Sequence, residues 1–167
     1  MTVLSIALIM LDIFSLYVGF ITYKYGVLHS ISQSYYELRK TNKDIYFTLF
    51  CWAMAACSIM LFAVLEPDYP SKAPLFFGSA AGLAFVGAAR AFYESLTDIV
   101  HYVGAGLGFG LAIVAIFLMT PQDGVAWTIL MASILVPLAG FALNIKHLIW
   151  WAELWLFLMI FLGLLTL

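Results

Sequence analysis

Residues 3–25 read VLSIALIMLDIFSLYVGFITYKY, an apolar stretch that a single acid, Asp12, interrupts and that ends close to Lys24. A helix that crosses a bilayer needs about 20 predominantly apolar residues in succession, and this stretch is long enough. The start of the chain lacks the basic region of a cleavable signal peptide. We therefore expect residues 3–25 to form a membrane-spanning helix that is retained.

The composition of the whole chain supports the same interpretation. Of the 167 residues, 65% are hydrophobic, 17% are aromatic and only 10% are charged, with a net charge of −2. A soluble domain carries charge on about a quarter of its residues, so this chain has too few charged groups to coat a globule in water. The composition excludes disorder and a nucleic-acid partner, and it predicts an integral membrane protein in contact with the lipid bilayer.

Five more apolar stretches follow the first, separated by short polar connections. Together they predict an all-α bundle of six transmembrane helices in a single domain, residues 1–167, with helices at residues 3–25, 45–65, 74–89, 96–119, 125–145 and 148–167. Two connections have the spacing of capping boxes, Thr41 with Asp44 and Ser95 with Asp98. These signals favour helix starts at the second and fourth stretches.

The longest connection, residues 29–40, predicts a short interfacial segment on the cytoplasmic side. Ser30 and Gln33 have the spacing of a helix cap. Apolar residues recur on one face of the expected helix, at Ile31, Tyr35 and Leu38. We expect this helix to lie along the lipid head groups.

The cations give the orientation. Of the seven Lys and Arg residues, all but Lys72 fall on one side of a six-helix bundle. The positive-inside rule places that side in the cytoplasm, which leaves the N-terminus and the C-terminus outside and predicts a multi-pass protein of the cell inner membrane. Four cations near the first connection are expected to attract anionic lipid head groups: Lys24, Arg39, Lys40 and Lys43.

Glycines recur at a helix-packing spacing in the third and fourth predicted helices. Gly78 precedes Gly82 by four residues, and Gly104 precedes Gly108 by the same interval. A further pair with this spacing is interleaved with the second, at Gly106 and Gly110. Small residues at this interval let membrane helices approach closely. We expect the first two pairs to be helix-packing positions, within one bundle or between the copies of an oligomer.

Asp12 is unusual because it lies near the middle of the first predicted helix, at a depth where no other predicted span has a Lys or Arg. An ionised carboxylate at a helix centre costs about 2.5–3.5 kcal/mol on the insertion scale. One hypothesis makes Asp12 a proton or cation site. The other makes it a neutral acid that joins helices or faces a partner, hydrogen-bonded to a hydroxyl group such as that of Ser58, Ser79 or Ser133.

The histidines fall at the predicted cytoplasmic ends of the helices, at His29, His101 and His147, and Asp98 shares a helix face with His101. Three imidazoles and a carboxylate at one depth are the ligand types of a zinc site. The alternative is an ordinary interfacial belt, because amphipathic side chains collect at head groups. Both readings stay open, since the order of the helices in space is not known from the sequence.

Two stretches carry a resemblance to known proteins: Ser30-Ile31-Ser32-Gln33-Ser34-Tyr35-Tyr36, and Phe85-Val86-Gly87-Ala88-Ala89 followed by His101-Tyr102-Val103-Gly104-Ala105. In these stretches the chain resembles small polytopic inner-membrane proteins of unknown function from bacteria and their phages. The resemblance implies no known activity. It implies that His29, His101 and the serine-tyrosine segment belong to one feature at the cytoplasmic edge.

A second, partial resemblance concerns Thr97-Asp98-Ile99-Val100-His101. It is similar to the Ser-x-x-x-His helix start of membrane zinc hydrolases related to alkaline ceramidases and progestin receptors. In that family a further acid and a His-x-x-x-His helix complete the site, and there are usually seven helices. Here Thr97 replaces the Ser, and Trp151 stands where a second His would follow His147. The resemblance implies a metal-dependent lipid hydrolase.

Three function classes follow from these observations. The favoured one is a membrane component without catalytic activity and without a cofactor, acting through helix contacts with copies of itself or with other membrane subunits. The first alternative is a conductor or transporter of protons or cations that uses Asp12. The second is a lipid hydrolase that holds zinc at the predicted cytoplasmic edge, through His29, His101, His147 and Asp98.

Overall fold

A computed structural model describes the backbone of residues 1–88, 94–121 and 124–167, and the side chains of these residues except those of residues 94–99. Every regular element in this part of the chain is an α-helix, which confirms the predicted all-α class. The helices are α1 (Val3–Tyr25), α2 (Ser34–Arg39), α3 (Ile45–Leu65), α4 (Pro74–Ala88), α5 (Glu94–Met119), α6 (Gly124–Ala142) and α7 (Leu148–Leu164).

Four helices are long and apolar enough to cross a membrane: α1, α3, α6 and the part of α5 from Val100 to Met119. The helices α4 and α7 are apolar but shorter, with 15 and 17 residues. Since a helix rises about 1.5 Å per residue, α4 extends about 22 Å. By length and composition the chain therefore has the helices of a membrane protein.

Hydrogen bonds and ring contacts show that consecutive long helices run antiparallel. The Thr48 hydroxyl near the start of α3 donates to the carbonyl of Gly87 near the end of α4, at 2.9 Å. Phe62 and Phe77, near the other ends of the same two helices, lie 6.0 Å apart between ring centroids. The bundle therefore has two ends, and we call the one that carries His29 the histidine end.

The opposite end of the bundle is joined by hydrogen bonds between connections and helix ends. The Lys72 ammonium donates to the Leu118 carbonyl at 2.6 Å. The hydroxyls of Thr120 and Thr166 lie 3.2 Å apart and share a hydrogen bond. These contacts bring the last turn of α5 against both the connection before α4 and the end of the chain.

The contact between α4 and α5 brings their backbones together at glycines. A Cβ placed on Gly82 would lie 2.5 Å from the backbone nitrogen of Gly108 and 2.6 Å from the carbonyl oxygen of Gly104. A Cβ on Gly78 would lie 2.7 Å from Leu111 Cδ1. The structure thus places both predicted glycine pairs at one contact inside the chain.

An aromatic cluster joins α7 to α1 and α3. Phe14 of α1 lies 4.1 Å from Phe157 of α7 between ring centroids, and Tyr17 stacks on Phe50 of α3 at 4.2 Å. All four side chains are buried. This cluster fixes which side of α1 faces the core.

The segment between α1 and α3 folds back onto the bundle. The predicted apolar face is correct, since Ile31, Tyr35 and Leu38 are only 3%, 5% and 0% exposed. That face packs against the other helices, however, and the Tyr17 and Ser34 hydroxyls share a buried hydrogen bond of 2.6 Å. The bundle itself therefore covers the apolar face of this segment.

The capping of α3 differs from the sequence-based expectation, although its first residue does not. The predicted capping box at Thr41 does not form, because the Thr41 hydroxyl donates to the carbonyl of Leu38 and α3 begins only at Ile45. The similar prediction for Ser95 and Asp98 concerns side chains outside the described residues. A capping box does occur at the start of α1, between Thr2 and Ser5.

The glycine contact gives a prediction for stability. Gly82→Ala should lower the free energy of unfolding by about 1–3 kcal/mol, the usual result of forcing a methyl group into a filled site, because the new Cβ meets backbone atoms that cannot move aside. Unfolding of the purified protein by SDS in mixed micelles measures this change.

The matched control is Gly106→Ala, in the neighbouring helix α5. A Cβ at this position has no atom within 4 Å, so the variant should be at least as stable as the parent. Equal stability of the two variants would show that α4 and α5 do not meet at Gly82.

Candidate functional site

A cavity of about 830 Å³ lies between α5, α6 and α7 at the histidine end, where residues 29–36 contribute to its wall. Its volume falls within the roughly 300–1,000 Å³ range of small-molecule pockets. The cavity is the main candidate site in the described part of the chain.

One part of the cavity wall is polar. The segment before α2 contributes His29 and Gln33, together with the hydroxyls of Ser30 and Ser32. The second turns of two helices complete this polar part, with His101 from α5 and Glu153 from α7. Hydrogen-bond donors and acceptors are therefore grouped at one end of an otherwise apolar space.

The rest of the wall is hydrocarbon and aromatic. Helix α5 contributes Phe109 and Ile113, helix α6 contributes Leu130 and Ile134, and helix α7 contributes Leu156. The cavity thus has a polar part and a longer apolar part, as a molecule with a head group and a hydrocarbon chain requires.

Two glycines of α5 give the cavity its width. Gly106 and Gly110 line it, and a Cβ placed on either would have no heavy atom within 4 Å. They alternate with Gly104 and Gly108, which face α4. The interleaved glycine pairs of α5 therefore have two different roles, close packing on one side and open space on the other.

The wall formed by α6 is the most loosely held. Among the four candidate spans α6 has the smallest buried share, and it contains Pro137 in its interior. A proline has no N–H to donate, so the carbonyl of Ser133 lacks its usual helical donor. Ser133 and Pro137 both line the cavity. The interrupted hydrogen bond of α6 therefore lies in the cavity wall.

Glu153 ties α7 to the segment that closes the polar end. One carboxylate oxygen accepts the backbone N–H of Ile31, and the other accepts the Ser32 hydroxyl at 3.4 Å. One turn earlier in α7, the Trp150 N–H donates to the His29 carbonyl at 3.0 Å. The carboxyl group thus meets the first free N–H groups of the turn that leads into α2.

The same turn is closed by its own side chains. The Gln33 N–H donates to the Ser30 hydroxyl at 3.0 Å, and the His29 N–H donates to Gln33 Oε1 at 2.7 Å. Ser30 and Gln33 therefore bond across the predicted spacing without forming a capping box, because the Gln33 side chain accepts from His29 and α2 begins only at Ser34. Together with Glu153 these bonds give the polar end a fixed backbone.

The structure brings only some of the predicted zinc ligands to the cavity. His29 and His101 line it, whereas His147 lies before α7 with a left-handed backbone (φ 57°) and is not part of its wall. The side chain of Asp98 lies outside the described residues. Among the residues that the structure describes, no group of three or more His, Cys, Asp or Glu is placed to hold a metal ion.

Asp12 lies on the exposed side of α1 and is not part of the cavity wall. The structure shows no hydrogen bond between Asp12 and a described serine, which one of the two hypotheses proposed, because Phe14 and its neighbours turn Asp12 away from the core. Ser79 and Ser133 instead donate to the carbonyls of Gly108 and Ile129, at 2.6 and 2.7 Å, and Ser58 is buried.

The four cations predicted to meet lipid head groups are exposed at the histidine end. Lys40 forms an ion pair with Glu37 at 2.7 Å, and Arg39 donates to the Tyr35 hydroxyl at 3.4 Å. The Lys24 ammonium lies 5.0 Å from the centre of the Tyr25 ring, and Lys43 completes the set.

No protein-family model, curated protein or solved structure matches this chain.

Proposed function

We propose that this chain is an integral membrane protein that binds a single-chain amphiphile, with the hydrocarbon chain between α5, α6 and α7 and the head group at the polar end. The observation that carries the proposal is the division of one cavity into a polar part near Glu153 and an apolar part near Phe109. Ligand sites are commonly apolar with a few polar groups that fix orientation.

The proposed setting is the cell inner membrane, crossed six times by the helices other than α2. The alternating direction of these helices supports this topology, and the exposed cations at the histidine end support a cytoplasmic position for it. In this topology the two termini lie outside. The short helices α4 and α7 fit because neighbouring helices and connections shield their ends, as the Lys72 contact with Leu118 does.

The residues that line the polar end of the cavity favour an uncharged, hydroxylated head group. No Lys or Arg is found among the described residues that line the cavity, and Glu153 is its only acid. An anionic head would meet this carboxylate without a compensating cation. Hydroxyl groups can instead bond to the Ser30 and Ser32 hydroxyls and the Gln33 amide.

The proposed access route for the hydrocarbon chain lies between α5 and α6. Val114 of α5 and Ile134 of α6 line the cavity and are also exposed on the outer surface. Hydrocarbon of the bilayer would therefore be continuous with the apolar part of the cavity. The interrupted hydrogen-bond ladder at Pro137 makes α6 the wall best able to adjust.

The proposal concerns binding and leaves the hydrolase hypothesis as a separate question. A hydrolase would use the same cavity, with His29 and His101 near the head group. Measurement of zinc in the purified protein separates the two, because the binding proposal requires no metal. The conductor hypothesis gains nothing from the cavity, since Asp12 does not line it.

Filling the apolar part of the cavity should weaken lipid binding. Gly106→Leu adds a side chain to open space in the cavity, so we expect at least a tenfold weaker affinity for 1-oleoylglycerol, about 1.4 kcal/mol. Equilibrium binding of the radiolabelled lipid to purified protein in detergent measures the change. Oleate should bind more weakly than 1-oleoylglycerol to the parent protein.

The control is Gly19→Leu, which also adds a side chain to open space in a membrane-spanning helix but lies outside the cavity. Its affinity should equal that of the parent. Loss of binding in both variants, or in neither, would contradict the location of the site.

Replacing the Glu153 carboxyl group with an amide should loosen the polar end. A hydrogen bond contributes about 0.5–1.5 kcal/mol, so in Glu153→Gln we expect the backbone amide of Ile31 to exchange with deuterium up to about tenfold faster. Glu37→Gln, which removes only the exposed pair with Lys40, should leave that rate unchanged. Unaltered exchange in Glu153→Gln would show that the carboxylate does not hold this turn.

A further inference from the structure

The outer face of α1 carries an unpartnered acid in the middle of the helix. Asp12, Ser15, Gly19 and Tyr23 follow one another at intervals of three or four residues and therefore lie on one helix face. All four are exposed, Tyr23 at 94%. A Cβ on Gly19 would have no atom within 4 Å. We call these four residues the α1 face.

The packing of α1 prevents Asp12 from turning inward. Met10, Phe14, Tyr17 and Ile21 are buried on the other side of the helix, where Phe14 and Tyr17 contact rings of α3 and α7. Rotating Asp12 into the core would expose these side chains. The α1 face is thus a fixed outer surface of the bundle.

An isolated carboxylate on this surface is unfavourable in a membrane. In the proposed topology Asp12 lies near the middle of the span, and an aspartate side chain is too short to reach the head groups as a lysine does. Asp12 forms no hydrogen bond or ion pair with another described residue. Its compensating partner must therefore be supplied by another molecule.

The described residues supply no cation at this depth. The described Lys and Arg residues all lie at helix ends or in connections: Lys24, Arg39, Lys40, Lys43, Lys72 and Lys146. Arg90 lies outside the described residues. A second copy in the same membrane orientation would present the same cations at the same depths, and its own Asp12 would repel the first.

From this charge complementarity we infer that the α1 face docks a transmembrane helix of a different protein, one that carries a Lys or Arg near the middle of its span. The cation pairs with the Asp12 carboxylate, which satisfies both charges in the hydrocarbon region. Ser15 and Gly19 lie on the same face and let the partner backbone approach closely. The inference rests on the proposed membrane topology and not on ligand binding in the cavity.

Two synthetic helices in liposomes test the inference directly. One is a transmembrane host helix of Leu and Ala with a central Lys, and the other has Leu at the central position. Energy transfer from the labelled full-length protein to each labelled peptide reports association. We expect the Lys peptide to associate at least tenfold more strongly than the Leu peptide.

Variants of the α1 face identify the contact. Asp12→Asn should remove the preference for the Lys peptide, and Gly19→Leu should weaken association with it. Gly106→Leu, which alters only the cavity, should leave association unchanged. In Asp12→Lys the preference should reverse, favouring a host peptide with a central Asp. Since Asp12 is exposed, all α1 variants should unfold in SDS mixed micelles at the same SDS fraction as the parent, which verifies that they are folded.

Four results would overturn the inference. They are equal association of the Lys and Leu peptides, association of neither, a Lys preference that persists in Asp12→Asn, and Asp12-dependent association between copies of the full-length protein. The last result would assign the face to a second copy. None of them bears on the cavity, whose own test uses Gly106→Leu and the lipid alone.

Discussion

Hydrocarbon gives membrane helices no hydrophobic reason to associate, so α4 and α5 must be held together by close contact of their backbones. Gly82 provides that contact against Gly104 and Gly108, and the position of α5 depends on it. Because α5 is drawn toward α4, its other side is left with Gly106 and Gly110 facing the space enclosed by α6 and α7. A tight contact on one side of the helix thus accounts for the cavity on the other.

The polar end of the cavity depends on a second contact, between α7 and the segment before α2. Glu153 accepts hydrogen bonds from this segment, and Trp150 donates one to it. Without these bonds the backbone polar groups of the segment would have no partner in helix α7. The apolar face predicted for this segment is buried in the bundle, so the segment acts as a wall of the site rather than as a surface helix.

The length of the helices followed from the sequence, whereas their rotation did not. The bounds of α1 and α3 coincide with the predicted stretches at residues 3–25 and 45–65, because polar connections and apolar length limit where a span can begin and end. The rotation of a helix about its own axis cannot be predicted in this way, because a membrane-spanning helix is apolar on every side. For this reason the sequence left two hypotheses open for Asp12, and although it predicted Gly104 and Gly108 as packing positions, it gave no role to Gly106 and Gly110, which line the cavity. His29 and His101 were expected at one edge, but the part of Glu153 in fixing that edge was not foreseen.

Two carboxyl groups, those of Glu153 in α7 and Asp12 in α1, show how the chain distributes its own hydrogen-bond donors. Glu153 is turned inward at a helix start, where Ile31 and Ser32 donate to it. Asp12 is turned outward in the middle of a helix, where every backbone N–H is already used by the helix itself. The carboxyl group of Glu153 therefore has hydrogen-bond donors within the chain, whereas that of Asp12 has none among the described residues. Asp12 thus lies on a surface where only another molecule can reach it, and the positions of Ser15 and Gly19 on that surface leave room for a helix to do so.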